Sequence, residues 1–407
     1  MKWEKVKLGN VCEITSSKRI FYSEYVDDGV PFYRSKEIIE SDEGKVIENP
    51  LYISVDKYNE IKEKFGVPQT GDMLLTSVGT IGIPYIIKKK DRFYFKDGNL
   101  TWFRDFREGL NSKYLYYWIK SSEGTGILYN TTIGSSQKAL TISALKNIKV
   151  SLPPRSVQDK IVEVVSAYDD LIENNQKQIK LLEEAAQRLY KEWFVDLRFS
   201  GHENTKIVDG VPEGWRVASI ADICDTVGGG TPSTKIQSYY EKGDILWVTP
   251  TDITRNFSLA LLDTEKKITP EGLKNSSAKM LPAETILMTS RASVGFFGMC
   301  KYEVCTNQGF ISCIPKRENL QMYLLFNLKS RVEEIRQKAG GSTYLEISKT
   351  VFRELKIILP KDEVLAEYQK NVHDIFDEIY CRTEMIKSLV DMRNRLLPKL
   401  MSGEVEV

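Results

Sequence analysis

Histidine is nearly missing from this chain: two occur among 407 residues, His202 and His373. General acid–base and triad chemistry therefore has few candidates. The six cysteines, at 12, 224, 300, 305, 313 and 381, include no Cys-x-x-Cys pair. They read as buried thiols rather than a disulfide framework, and Cys300, Cys305 and Cys313 have odd spacings for a zinc site. No apolar run approaches the roughly 18 residues needed to cross a bilayer. Glu4 stands where a signal peptide would begin its apolar core. The expectation is a cytoplasmic chain with no membrane role. Net charge is lacking too: 57 Lys+Arg against 56 Asp+Glu leave +1. That excludes a histone-like basic tail and an acidic disordered chain. The run Gly228-Gly229-Gly230-Thr231-Pro232 lacks the Gly-Lys-Ser/Thr ending of a phosphate loop and reads as a flexible turn. Carboxylate-x-Lys triplets such as Glu60-Ile61-Lys62 are expected by chance when 28% of residues are charged.

What the chain does have is length for at least two cores, with 42% apolar and 10% aromatic residues to fill them. It is also written twice. Trp3-x4-Leu8-x2-Val11-Cys12 returns as Trp215-x4-Ile220-x2-Ile223-Cys224. Phe32 to Ile38 aligns with Trp247 to Ile253, and Met73-Leu-Leu-Thr-Ser77 through Gly82 with Ile286-Leu-Met-Thr-Ser290 through Gly295. Tyr114-Leu115 aligns with Tyr323-Leu324, Gly134-Ser135 with Gly341-Ser342, and Leu152-Pro153 with Leu359-Pro360. The matches keep their order while the displacement drifts from 215 to 207, as expected for diverged copies with loop insertions.

Within each copy, short apolar runs (Met73-Leu-Leu, Pro84-Tyr-Ile-Ile, Phe93-Tyr-Phe) are punctuated by Gly, Pro, Asp and Asn. They predict strands joined by turns, with helices near Ser112–Lys120 and Leu320–Lys338, so the class is α+β with a strand-rich core. Each copy ends on a long helical stripe. In the first it runs through Ile161, Val165, Tyr168, Ile172, Ile179, Leu182, Leu189 and Trp193; in the second through Tyr368, Val372, Ile375, Ile379, Ile386, Leu389, Leu396 and Leu400. Both stripes break at matching places, Asn174-Asn175-Gln176 and Cys381-Arg382-Thr383. Each helix spans about 40 residues, on the order of 60 Å, more than a globular core covers, so each needs the other as partner. The chain path makes the pairing antiparallel, with a pseudo-two-fold axis across a rod. Pro398 predicts a kink in the last turns of the second helix. The segments are 1–154 and 200–361 for the globular copies, and 155–199 and 362–407 for the helices.

Residues 1–150 hold 23 basic and 19 acidic groups and 201–360 hold 20 and 18, while the helices lean acidic. The globular copies can therefore carry local basic patches. Base edges favour Arg, Asn and Gln; phosphates favour Lys, Arg, hydroxyls and backbone amides. The candidates in the first copy are Lys18, Arg19, Arg34 with Ser35 and Lys36, Thr76, Ser77, Ser135, Ser136, Gln137 and Lys138. Those in the second are Thr231, Ser233, Thr234, Lys235, Thr249, Thr251, Thr289, Ser290, Arg291, Ser342, Thr343 and Tyr344. All lie at or beside turns containing Gly or Pro. The Lys88-Lys89-Lys90 run suits phosphate contact at best. Two different reading heads on one ruler would suit a split, asymmetric duplex target.

The run from Leu171 to Glu184 (LIENNQKQIKLLEE), the segment Tyr190 to Phe199 (YKEWFVDLRF) and the end Leu396 to Glu404 (LLPKLMSGE) resemble the helices of type I restriction–modification specificity subunits. Val211-Pro-Glu-Gly-Trp215 is similar to that family's usual opening of a target recognition domain. The resemblance spans the whole chain. It implies two target recognition domains separated by two long antiparallel helices, and a non-catalytic reader of double-stranded DNA. It also implies two modification subunits docked along the helices and, through them, two restriction subunits. S-adenosylmethionine, ATP and magnesium are then expected on the partners, with no cofactor or metal in this chain. Consistent with this, no Asp/Asn-Pro-Pro-Tyr/Phe tetrad of an amino-methyltransferase appears. The outer helix faces, with Glu183, Glu184, Arg188, Asp391 and Arg393, are expected to meet solvent or partners. The alternative is a two-domain coiled-coil scaffold without DNA reading.

Overall fold

The computed structural model describes residues 3–45, 47–134, 138–341 and 344–407. The chain divides into two compact units, Met1–Asp170 with Val390–Val407, and Leu171–Leu389. Each contains one strand-rich lobe and a portion of each long helix.

In the first lobe, the strand Met73–Thr76 is apolar, apart from Thr76, and wholly buried. It lies between Leu100–Arg104 and Pro84–Ile86, and Glu13–Thr15 completes an antiparallel sheet of four. A second sheet orders Tyr25–Val26, Leu51–Ile53, Val30–Tyr33 and Tyr94–Phe95, the last pair parallel. Glu4–Lys7 pairs with Lys149–Leu152 and so ties the two ends of the lobe together. Side-chain caps start the helices: Ser54 for Val55–Phe65, Asn111 for Ser112–Lys120 and Ser121 for Ser122–Thr131.

The second lobe repeats this plan. Cys224–Gly228, Phe310–Pro315, Ile286–Thr289 and Phe297–Gly298 form its four-stranded sheet, in that order. Lys267–Ile268, Ile245–Val248 and Cys305–Thr306 form the second, again with one parallel pair. Arg216–Ser219 pairs with Lys356–Leu359 as the closing ribbon. The helix expected over 320–338 is two helices, Gln321–Ser330 and Val332–Gln337. They part at Arg331, which leaves helical geometry (φ −115°, ψ 20°) while its guanidinium donates to the Lys356 carbonyl at 2.7 Å.

The first long helix covers Arg155–Tyr190, and a wider π turn over Lys191–Val195 follows it instead of regular helix to 199. That turn swings Trp193 and Phe194 into an aromatic cluster with Tyr190, Tyr323 and Tyr368; Phe194 lies 4.7 Å from Tyr323 and 4.8 Å from Tyr368. The second long helix covers Asp362–Ser402, continues through Pro398, and stops at Gly403, whose φ of 72° suits glycine.

Within each unit the helix portions run antiparallel. In the first, Ile161, Val162 and Val165 share a core with Leu397, Leu400 and Met401, and Asp169 bonds Arg393 at 2.5 Å. In the second, Asn175 meets Arg382 and, further along, Tyr190 meets Tyr368. The stripe positions Ile161, Val165, Ile172, Ile179, Trp193, Tyr368, Val372, Ile379, Ile386 and Leu400 are buried. Tyr168, Leu182, Leu189, Ile375, Leu389 and Leu396 are half-buried. Ala186, buried but too small to stand out in the pattern, completes a seven-residue spacing from Val165 to Trp193.

Two readings need correcting. The stripes are not covered by a partner helix alone: Ile161 and Leu400 belong to the same core as Tyr114, Leu115 and Trp118 of the first lobe. Nor do Glu183 and Arg393 face outward. Glu183 accepts the Leu259 backbone N–H at 2.8 Å and lies 3.8 Å from Lys329, whose pKa burial lowers against the opposing pull of that carboxylate. Arg393 is held by Asp169, which also accepts the Tyr117 hydroxyl at 2.6 Å.

Candidate nucleic-acid interface

The candidate loops of the first lobe converge on one turn, Lys96-Asp97-Gly98-Asn99, a hub the sequence reading missed. Lys96 N–H donates to the Tyr33 carbonyl at 2.9 Å, which places Arg34 beside it. Arg19 Nε donates to Asp97 at 2.9 Å. Ser77 N–H donates to the Asn99 carbonyl at 2.8 Å, and Leu140 N–H to the Ser77 carbonyl at 2.9 Å, drawing in the segment that carries Lys138. Strand register explains the convergence, since Thr76 pairs with Leu100 and Tyr33 with Phe95.

The second lobe rebuilds this hub around Asn307-Gln308-Gly309. Asn307 N–H donates to the Val248 carbonyl at 3.0 Å, Ser290 N–H to Gly309 at 2.8 Å and Ile347 N–H to Ser290 at 3.0 Å. Thr231 Oγ1 donates to Gln308 Oε1. Inside the loops the match continues. Thr76 Oγ1 accepts from Ile83 N–H and Thr289 Oγ1 from Phe296 N–H, both at 2.9 Å.

Burial sorts the candidates. Thr76, Ser77, Thr289 and Ser290 are at most 3% exposed, and the first three spend their hydroxyls inside the protein. They shape the loops and offer no surface. Arg34 and Thr249 occupy matching helix starts. Thr249 caps Asp252 through its hydroxyl at 2.6 Å, while Arg34 grips buried Glu37 at 2.6 Å. Burial raises the Glu37 pKa, but the bonds from Arg34 outweigh it and hold the carboxyl below its ordinary value. Lys18, Arg19, Lys36, Lys138, Thr231, Ser233, Thr234, Lys235, Thr251, Arg291 and Tyr344 are exposed. Lys138 sits 3.7 Å from the Tyr129 ring centre, and Lys18 4.5 Å from that of Phe65. Arg291 lies between Glu346, at 3.7 Å, and the Tyr344 ring, at 5.8 Å. Lys88, Lys89 and Lys90 are exposed as well. Ser135, Ser136, Gln137, Ser342 and Thr343 lie outside the described residues.

The glycine run is not a flexible turn. A Cβ on Gly229 would come 2.1 Å from the Thr306 carbonyl oxygen, and one on Gly230 2.2 Å from Ser277 Oγ. These glycines are there for close packing against the hub.

A profile of the type I restriction modification DNA specificity domain matches residues 1–184 and again 212–390. The chain belongs to this family. The two specificity domains thus coincide with the two halves of the duplication. The MjaIX specificity subunit of Methanocaldococcus jannaschii is 28% identical, over 100% of this chain and 94% of its own. The EcoR124I/EcoR124II specificity subunit of Escherichia coli is 27% identical over 67% and 64%. A crystal structure of an M. genitalium type I S subunit superposes with a TM-score of 0.59 at 15% identity, covering 98% of this chain and 96% of that one, which supports the fold.

Elsewhere in these specificity domains, burial pushes the thiols of Cys300 and Cys305 up to about 12. Cys381, expected to be buried, is exposed on the second helix. Among the described residues one cluster could ligate a cation: Glu284, His373 and Asp377. The carboxylates approach opposite ring nitrogens, at 3.1 and 3.5 Å, and Lys301 already pairs with Asp377 at 2.6 Å. Of these contacts the one between Glu284 and His373 is a hydrogen bond, while Asp377 is paired with Lys301. No helix among the described residues is long and apolar enough to cross a membrane.

Proposed function

We propose that this chain is the DNA-specificity subunit of a type I restriction–modification assembly. Each lobe reads one half of a split, asymmetric duplex target through the exposed residues around its hub. The observation that carries this reading is the twofold match to the specificity domain, once per copy. The matched hubs support it: Arg19 bonds the turn of the first and Thr231 that of the second, while Lys138 and Arg291 are exposed on segments hydrogen-bonded around them.

The long helices set the separation of the half-sites and dock two modification subunits, through which two restriction subunits join. Methyl transfer to adenine and DNA cleavage belong to those partners, with S-adenosylmethionine, ATP and magnesium bound there. This chain contributes recognition and no catalytic group, and it acts in the cytoplasm.

Genome-wide mapping of methylated adenines, with and without this gene, tests the proposal. Loss of methylation at one split motif is the expected result. An unchanged map in a strain whose modification subunit is active would overturn it, as would methyl transfer by the purified chain alone.

A further inference from the structure

Between the two hubs three backbone hydrogen bonds are kept, yet one exposed side-chain pair changes its chemistry. Strand register fixes the correspondence. Glu13 pairs with Arg104 where Asp225 pairs with Ile314, so Arg19 and Thr231 follow their strands by the same number of residues. Phe32 pairs with Tyr94 where Trp247 pairs with Cys305, so Asp97 and Gln308 stand at the same point after theirs. Each pair is in contact: Arg19 Nε with Asp97 Oδ2 at 2.9 Å, and Thr231 Oγ1 with Gln308 Oε1. A charged pair in one lobe is replaced by a neutral one in the other, on the same scaffold.

We infer that this pair is a specificity-determining position of each lobe, with Arg19 reading guanine in one half-site and Gln308 reading adenine in the other. The inference rests on the DNA-reading role proposed above and assigns bases within it. The Arg19 side chain is 69% exposed and its partner Asp97 20%. Asp97 occupies Nε and fixes the plane of the guanidinium. Both terminal amino groups then have no partner among the described residues. A fork of two parallel donors matches O6 and N7 of guanine. In the second lobe the exposed Gln308 amide is oriented by Thr231, which occupies one lone pair of Oε1. The other lone pair and the Nε2 donors remain, the set that pairs with N6 and N7 of adenine. Asp97 and Thr231 are positioning residues; Arg19 and Gln308 touch the base.

The test transplants one pair onto the other scaffold. The full chain is produced with its modification subunit in a host free of adenine methylation, and the modified motif is read by sequencing. T231R/Q308D is expected to change one position of one half-site from adenine to guanine, leaving the other half-site intact. R19A is expected to relax one guanine of the other half-site by about tenfold to a hundredfold. D97N, which keeps the size of the residue but weakens the grip on Nε, is expected to relax the same guanine less. All these side chains are exposed or half-exposed, so the thermal midpoint should stay within a few degrees of the parent. A split motif in the parent that both T231R/Q308D and R19A leave unchanged overturns the inference and spares the proposed function. Loss of methylation at every site in both variants also overturns it, because the pairs would then be structural. No split motif in the parent overturns the proposed function itself.

Discussion

Asn175 and Arg382 occupy the same position in the two copies of the sequence, 207 residues apart, and they touch: Arg382 Nη1 donates to Asn175 Oδ1 at 3.2 Å. In an antiparallel helix pair built from a repeat, a residue meets its own counterpart only where the local two-fold axis passes. Within the second unit, the break in both apolar stripes is therefore where the two helices meet at equivalent positions. Asn175 is 3% exposed and also donates to the Leu171 carbonyl at 2.8 Å, while Arg382 reaches Glu378 at 2.5 Å. A buried polar contact of this kind fixes register at some cost in stability.

Replacing one partner should therefore hurt more than replacing both. Asn175→Leu leaves a half-buried guanidinium with one fewer acceptor and is expected to cost about 1–3 kcal/mol in urea unfolding. Asn175→Leu with Arg382→Leu should recover most of that loss. Additive losses in the double-mutant cycle would show that the two residues do not act as a pair.

Glu37 gives a pH signature. Its folded pKa lies below the ordinary value of 4.5, because the bonds from Arg34 outweigh burial. The carboxylate therefore contributes stability that is fully present above the unfolded pKa and is lost as pH falls through the lowered folded one. Glu37→Gln should destabilise the first lobe by about 1–3 kcal/mol at pH 7, and the gap to the parent should narrow by pH 3. A gap that stays constant between those pH values would place the stabilisation elsewhere.

The fold was legible where repetition reinforced a weak signal. Tyr114 and Tyr323 align in sequence and make the same bond, from hydroxyl to the Ser151 and Ile358 carbonyls respectively. The long helices were legible because their stripes recur for ten turns. The hubs were not, because their contacts run between residues such as Arg19 and Asp97, 78 positions apart, and sequence periodicity reports only neighbours. Burial of Thr76 and Thr289 was hidden for a related reason: a Thr beside a Gly turn looks the same whether its hydroxyl faces a phosphate or a backbone amide. Asp97 and Gln308 could have been found by aligning the two copies through Tyr94 and Cys305, which pair in parallel with equivalent strands.

Gly230 separates close packing from phosphate binding. Its Cβ would meet Ser277 Oγ at 2.2 Å and the Ala278 nitrogen at 2.4 Å. Gly230→Ala should therefore cost about 1–3 kcal/mol of stability by forcing the two segments apart. A variant as stable as the parent that bound DNA less well would reverse this reading and make the run a ligand loop.

Thr289 and Arg291 are two residues apart and should fail in different ways. The Thr289 hydroxyl is buried and accepts from Phe296 N–H while donating to the Ser293 carbonyl, so it holds the loop closed. Thr289→Val keeps the shape and removes both bonds. It is expected to cost about 1–3 kcal/mol of stability and to weaken binding to every duplex alike. Arg291 is exposed at the tip of the same loop, steadied by Glu346 and Tyr344. Arg291→Ala is expected to leave stability within about 0.5 kcal/mol of the parent and to reduce discrimination at one base pair of one half-site by roughly tenfold to a hundredfold. The measurement is competition binding of the assembled complex against single-base variants of its target, repeated at two salt concentrations. If Arg291 contacts only phosphate, its loss will flatten the salt dependence and leave base preference intact, which would remove it from the reading surface.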